Sequence, residues 1–111
     1  MVKAGALRKR YVLFELIGPD MPEEQLKRAL YAEALKFFGE FGLSHVALKL
    51  IGYDKEKKAG ILRCERAHLE NVLGFLALIS SLEGSEARLV ARKSSGTLRS
   101  LGMEFRPTQS R

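Results

Sequence analysis

The apolar residues of this chain switch between a two-residue and a three-to-four-residue period, and the order of those switches constrains the fold more than any single motif. Arg8 to Gly18 contains Tyr11-Val12-Leu13-Phe14-Glu15-Leu16-Ile17, rich in β-branched and aromatic residues and closed by Gly18-Pro19, which reads as a first strand. Asp20 and Glu23 have the spacing of a capping box, and Pro22 suits a first helical turn. Leu26, Leu30, Ala34, Phe37, Phe38 and Phe41 follow at helical spacing, and Gly39 and Gly42 are expected to end the helix. Ser44 to Tyr53 alternates as a second strand, with Val46, Leu48 and Leu50 on one face. The charged connection Asp54 to Lys58, then Ala59-Gly60, reads as a hairpin into a third strand, Ile61 to Arg66. His68 to Leu82 has the stripe Leu69, Val72, Leu73, Phe75, Leu76 and Ile79 of a second helix, and Gly84 follows its end. Glu86 to Lys93 is a fourth strand. Ser94-Ser95-Gly96-Thr97 turns the chain, and Leu98 to Leu101 forms a short helical turn.

Strand, helix, strand, strand, helix, strand with right-handed crossovers gives an α+β, ferredoxin-like sandwich. Two helices cover one face of a four-stranded antiparallel sheet. The length allows one domain. Residues 8–101 form it, with a flexible N-terminus over 1–7 and a loosely held tail over 102–111. No apolar run approaches the roughly 20 residues needed to cross a bilayer. The charged start, Met1 to Arg10, leads to no small-residue cleavage site. The single cysteine excludes an internal disulfide framework. These features predict a soluble, cytoplasmic chain with no membrane partner.

Nineteen basic residues against thirteen acidic ones give a formal charge of +6 and a pI near 9.7. The two helical stretches, residues 19–43 and 67–86, are net acidic, so the strands and termini supply the whole excess. Segregated charge of this kind points to a polyanionic partner. Alternation sends Val12, Phe14, Leu16, Val46, Leu48, Leu50, Leu62, Cys64, Leu89 and Ala91 to the helix side of the sheet. Tyr11, Leu13, Glu15, Ile17, Lys49, Ile51, Tyr53, Ile61, Arg63, Glu65, Arg88, Val90 and Arg92 fall on the other side. That second face is half apolar, so a cover is expected, from Met103 and Phe105 of the tail or from a partner. Tyr11, Lys49, Ile51, Tyr53, Arg63, Arg88, Val90 and Arg92 are its candidate contact residues. Base stacking in the manner of an RNA-recognition motif is not expected, because the third strand carries no aromatic residue.

Two segments suit phosphate. Arg8-Lys9-Arg10 meets no acid before Glu15. Lys93-Ser94-Ser95-Gly96-Thr97-Leu98-Arg99 joins hydroxyls, a glycine and two cations at a strand-to-helix junction, where backbone N–H groups can face an oxyanion. A plain helix cap at Ser95 or Thr97 is compatible with this. Cys64 reads as a core residue, and His45 and His68 have no second ligand at metal spacing. No nucleophile–histidine–acid set, phosphate loop or dinucleotide fingerprint occurs in the chain. The residues thus predict no catalytic site, no bound metal and no protein-bound cofactor.

Arg10-Tyr11, Leu50-Ile51-Gly52-Tyr53-Asp54, Gly60-Ile61-Leu62-Arg63-Cys64-Glu65-Arg66 and Ser95-Gly96-Thr97, in that order, resemble the archaeal ribonuclease P protein component 2 family over about residues 8–101. The resemblance implies a ferredoxin-like fold and an accessory, non-catalytic role in ribonuclease P, which removes the 5′ leader of precursor tRNA. It implies that the RNA, with Mg²⁺, performs the hydrolysis. It also implies a two-plus-two heterotetramer with ribonuclease P protein component 3, contact with the ribonuclease P RNA, and only indirect contact with precursor tRNA. Two rival readings use the same fold. An acylphosphatase-like hydrolase needs an arginine in the loop after the first strand, where Gly18-Pro19-Asp20-Met21 stands. A metabolite-binding regulatory domain fits the basic strands poorly.

Overall fold

A computed structural model describes residues 8–101, with Arg99 and Ser100 by backbone alone. Strand β1 (Lys9–Ile17) is followed by helix α1 (Glu23–Val46), strands β2 (Lys49–Asp54) and β3 (Ala59–Glu65), and a 3₁₀ turn at Arg66–His68. Helix α2 (Leu69–Leu78), a two-residue hairpin of β4 (Ser81–Leu82) and β5 (Ser85–Glu86), strand β6 (Arg88–Ser95) and the one-turn α3 (Leu98–Leu101) complete it. The main sheet runs β2-β3-β1-β6 with every pair antiparallel, which is the expected ferredoxin-like order.

The core forms between the sheet and the helices. Leu26, Ala29, Leu30 and Ala34 of α1 and Val72, Phe75 and Leu76 of α2 pack on Val12, Phe14, Leu16, Leu50, Leu62, Cys64 and Leu89. The Tyr31 hydroxyl accepts a bond from the Leu50 amide at 3.0 Å and fastens α1 to β2. Phe37 and Phe41, read as part of the buried stripe, are instead 45% and 79% exposed.

Several boundaries differ from the sequence expectation, each for a local reason. Pro22, not Asp20, is the N-cap of α1. The Asp20 carboxylate lies 3.5 Å from the Lys58 ammonium, so no capping box forms. Gly39 does interrupt the helix, at φ 76° and ψ 167°, but helical geometry resumes and carries Ser44 to Val46, which the alternation had placed in a strand. Val46 thereby reaches the core, and the turn closes at Ala47 in the left-handed region, its N–H bonded to Leu43 O at 3.1 Å. Helix α2 stops at Leu78, where Ile79 turns extended. Glu83 (φ 49°) and Gly84 (φ 86°) then make the tight turn between β4 and β5, which buries Leu82. Arg28 of α1 donates to the Glu83 carboxylate at 3.0 Å, so this hairpin is tied back to the helix layer.

Two bulges change the side-chain register. Between Leu50 and Gly52 the pairing to β3 slips, leaving Ile51 as the extra residue and turning Tyr53 into the core, 3% exposed. Tyr53 therefore does not belong to the open face. Between Leu13 and Phe14 the pairing to β6 slips past Arg92, so Lys93 stands opposite Leu13 and Ser95 opposite Tyr11. Ser94 and Ser95, read as a turn, are strand residues. Ala91 faces the helix side as expected but lies exposed beside Leu73, Leu76 and Ala77 rather than in the core.

The open face is covered in its middle. Leu101 packs on Leu13 and Ile61, with Leu98, Tyr11, Ile51 and Ala59 around them. This cover comes from α3. The expectations for residues 1–7, for the tail over 102–111 and for Met103 and Phe105 lie outside the described residues.

Candidate nucleic-acid interface

Antiparallel pairing brings the start of β1 together with the ends of β3 and β6. Lys9 stands opposite Glu65, Arg10 opposite Cys64 and Tyr11 opposite both Arg63 and Ser95. The two segments singled out for phosphate, far apart in sequence, therefore meet at one end of the sheet. An ideal Cβ on Gly96 would stand only 3.2 Å from Arg10 Nη1, so the guanidinium rests against that glycine. Arg10 Nη1 also donates to Lys9 O at 2.9 Å.

Ion pairing at this end is uneven. The Lys9 ammonium lies 2.6 Å from the Glu65 carboxylate, and that hydrogen bond, ahead of the nearby charges, holds Glu65 below the ordinary glutamate value. Arg8 is exposed, and its carbonyl accepts a bond from the Arg66 amide. The exposed Arg66 side chain extends the basic end and was not among the residues expected from sequence. Its signal was present in the sequence, because an antiparallel partner places the residue after β3 beside the residue before β1. Lys49 of β2 stands opposite Arg63 and continues the cationic surface across the sheet.

The turn after β6 is partly self-satisfied. The Thr97 amide donates to Ser95 Oγ at 3.2 Å, so this N–H, expected to face phosphate, already has a partner. Ser94 stands opposite Val12 on the helix side, while Lys93 and Ser95 share the open face. The backbone of Arg99 belongs to α3.

Other candidate residues lie elsewhere. Arg88 stands opposite Ile17, and Val90 opposite Glu15. This is the far end of β1, about 27 Å from Lys9 at the rise of an extended strand. Arg92 Nε donates to the Glu15 carboxylate at 2.9 Å. Arg88 and Val90 are thus separated from the basic end, Arg92 is held on Glu15 at the bulge in mid-strand, and Tyr53 is buried. In the core the Tyr53 hydroxyl has no hydrogen-bond partner among the described residues, and burial, reinforced by Asp20 and Asp54, raises its pKa. Burial likewise pushes the Cys64 thiol up to about 11, which keeps it protonated and unreactive at neutral pH. In the loop after β1, the Lys58 ammonium bonds Gly18 O and pairs with Asp20, so a lysine outside the loop occupies its inner side. Among the described residues no group of three or more His, Cys, Asp or Glu side chains gathers as a metal site.

Topology and charge together define a ferredoxin-like α+β domain with one strongly cationic sheet end. The model of the Rpp14/Pop5 family matches residues 10–106. The chain belongs to that family. It is 31% identical over 99 residues to ribonuclease P protein component 2 of Pyrococcus furiosus, covering 88% of this chain and 82% of that one. It is 36% identical over 94 residues to the component 2 of Archaeoglobus fulgidus, covering 83% of each. The resemblance to the archaeal component 2 family therefore holds, and the family match runs past Leu101 to residue 106. A chain in the cryo-EM structure of yeast ribonuclease MRP superposes with a TM-score of 0.67 at 16% identity, over 84% of this chain and 77% of that one. At that identity the likeness speaks for the fold alone. Among the described residues no helix is long and apolar enough to cross a membrane.

Proposed function

We propose that this chain is an accessory protein subunit of ribonuclease P in the cytoplasm, the ribonucleoprotein that removes the 5′ leader of precursor tRNA, and that it supports the catalytic RNA through phosphate contacts. The observation that carries the reading is the meeting of Arg8, Lys9 and Arg10 with Ser95 and Gly96 at one sheet end, in a chain of the Rpp14/Pop5 family. Hydrolysis and the Mg²⁺ it needs belong to the RNA. The protein lowers the repulsion between RNA segments that must crowd together, and each neutralised phosphate releases condensed counterions.

Pairing with component 3, and self-association into a two-plus-two complex, form part of the same reading. Phe37 and Leu78, 45% and 70% exposed, line one hollow between α1 and α2 on the helix layer. Exposed apolar residues grouped in this way favour a protein neighbour there and leave the cationic end to RNA.

The test is reconstitution with the ribonuclease P RNA and its other proteins. Lys9 is best retained, since its removal would leave Glu65 facing phosphate. Replacing Arg8, Arg10 and Arg66 by alanine is expected to raise the Mg²⁺ needed for half-maximal precursor tRNA cleavage several-fold, with an unchanged melting temperature. Cleavage curves that superimpose across the Mg²⁺ titration would refute the role.

A further inference from the structure

The sheet register aligns four residues in one row across all four strands of the open face. Lys49 stands opposite Arg63, Arg63 opposite Tyr11 and Tyr11 opposite Ser95. At the usual spacing of neighbouring strands the row is about 14 Å long. It begins with two cations directly opposite each other, an arrangement that destabilises a sheet. Among the described residues no carboxylate pairs with either one, and Glu65, the nearest acid on β3, is held by Lys9. Arg63 Nε is shielded from solvent and has no hydrogen-bond partner among the described residues. Buried polar groups of this kind are nearly always satisfied in a working structure. The row thus sets two cations side by side with no acid to balance them, and an anion bound between them would relieve their repulsion.

The surroundings select the form of that anion. Leu101 and Leu98 of α3 sit on Leu13 and Ile61, the next row along the same face. The backbone of α3 stands on these leucines and forms a wall beside the row. On the other side the sheet ends within one further row, at Lys9 and Glu65. The row is therefore a ledge in the angle between wall and sheet. A duplex is a stiff cylinder that would rest on α3 and the sheet rim, with its phosphates held off the row. An extended single strand can lie in the angle.

We infer that the row Lys49–Arg63–Tyr11–Ser95 is a track for one unpaired RNA strand crossing the sheet, with Lys49 and Arg63 clamping a phosphate and the hydroxyls of Tyr11 and Ser95 bonding the backbone beyond it. The track rests on the RNA-subunit reading above and names the form of RNA recognised. It calls for no aromatic residue on β3, since the contacts are to phosphate and sugar and not to stacked bases.

Lys49→Glu gives the decisive test, because it moves folding and binding in opposite directions. In the free protein the new carboxylate pairs with Arg63 and replaces repulsion by attraction, so the melting temperature rises by about 2–5 °C. In the complex both clamp cations are lost. The full chain is titrated by fluorescence anisotropy with a labelled oligouridine and with an RNA duplex of equal length, each across a salt series. Wild type is expected to hold the oligouridine more tightly. Lys49→Glu is expected to weaken it at least tenfold and to lower its salt slope by about 0.7, the share of the one phosphate that the clamp holds. Duplex binding should change less than twofold. An unchanged oligouridine slope, equal losses for both RNAs, a preference of the wild type for duplex, or a lower melting temperature would each overturn the track. If Arg8→Ala with Arg66→Ala weakens both RNAs while Lys49→Glu is inert, the track falls and the subunit reading stands.

Discussion

Gly60 is the position where a single methyl group should do most damage to the sheet. It stands opposite Phe14 on β1 and Tyr53 on β2, so two aromatic residues flank it on the core side. A Cβ at Gly60 would lie 2.7 Å from Phe14 Cζ and 2.8 Å from the Gly52 carbonyl oxygen. Carbon atoms in ordinary contact are about 3.5–4.0 Å apart, so the ring must retreat by about 1 Å. Phe14 is fully buried and Tyr53 nearly so, and the other obstacle is backbone at a bulge, which leaves no free direction. Overpacking of this kind costs about 1–3 kcal/mol. The smaller conformational freedom of alanine in the unfolded chain offsets up to about 1 kcal/mol of that. Gly60→Ala should therefore lose about 1–2 kcal/mol and about 5–15 °C of melting temperature, read by circular dichroism and urea titration. Phe14→Leu shortens the obstructing side chain, so it should cost less in the Gly60→Ala background than alone. A neutral or stabilising Gly60→Ala, or strict additivity with Phe14→Leu, would refute this packing argument.

Two further outcomes follow from the sheet's other face and its basic end. Leu101→Ala removes the side chain that seals Leu13 and Ile61, and since one turn of helix can shift to fill the gap the loss should be near the low end for a buried leucine, about 2 kcal/mol; a loss below about 0.5 kcal/mol in urea titration would show that α3 does not cover the sheet. Glu65 has a lowered pKa in the folded state, so its stabilising pair with Lys9 is complete above the ordinary glutamate value and fades as pH falls through the lower folded one. Urea titrations below about pH 4.5 should then show wild type losing stability more steeply than Glu65→Gln, and parallel curves would count against the pair.

The order of elements was legible because each depends on many apolar residues repeating one period. The bulges were not. A slip of one residue at Ile51 leaves no mark on composition, yet it reverses every side chain after it and moved Tyr53 from the open face into the core. Glycine was legible only locally. Gly39 does break α1, but Leu43 and Val46 still had apolar surface to reach and drew the chain back into helix. In the same way the charge runs at 8–10 and 93–99 were visible in sequence, and the ferredoxin-like order implies that β1 lies beside β6. The placement of Lys49 against Arg63, and of Arg66 beside Arg8, needed the actual register. Exposed Phe37 and Phe41 misled for a different reason. Periodicity marks an apolar stripe without saying whether this chain or another one covers it.

The extra residue at Arg92 bears on how copies of this protein can assemble. Strand β6 is an outer edge of the sheet, where an incoming strand could add. At Arg92 the spacing of its backbone donors and acceptors is broken, and the side chain is drawn inward onto Glu15. A new strand would lose register at that point and find a cationic rim on either side, at Arg88 and Lys93. This edge is thereby closed to a fifth strand, and growth into fibres through it is discouraged.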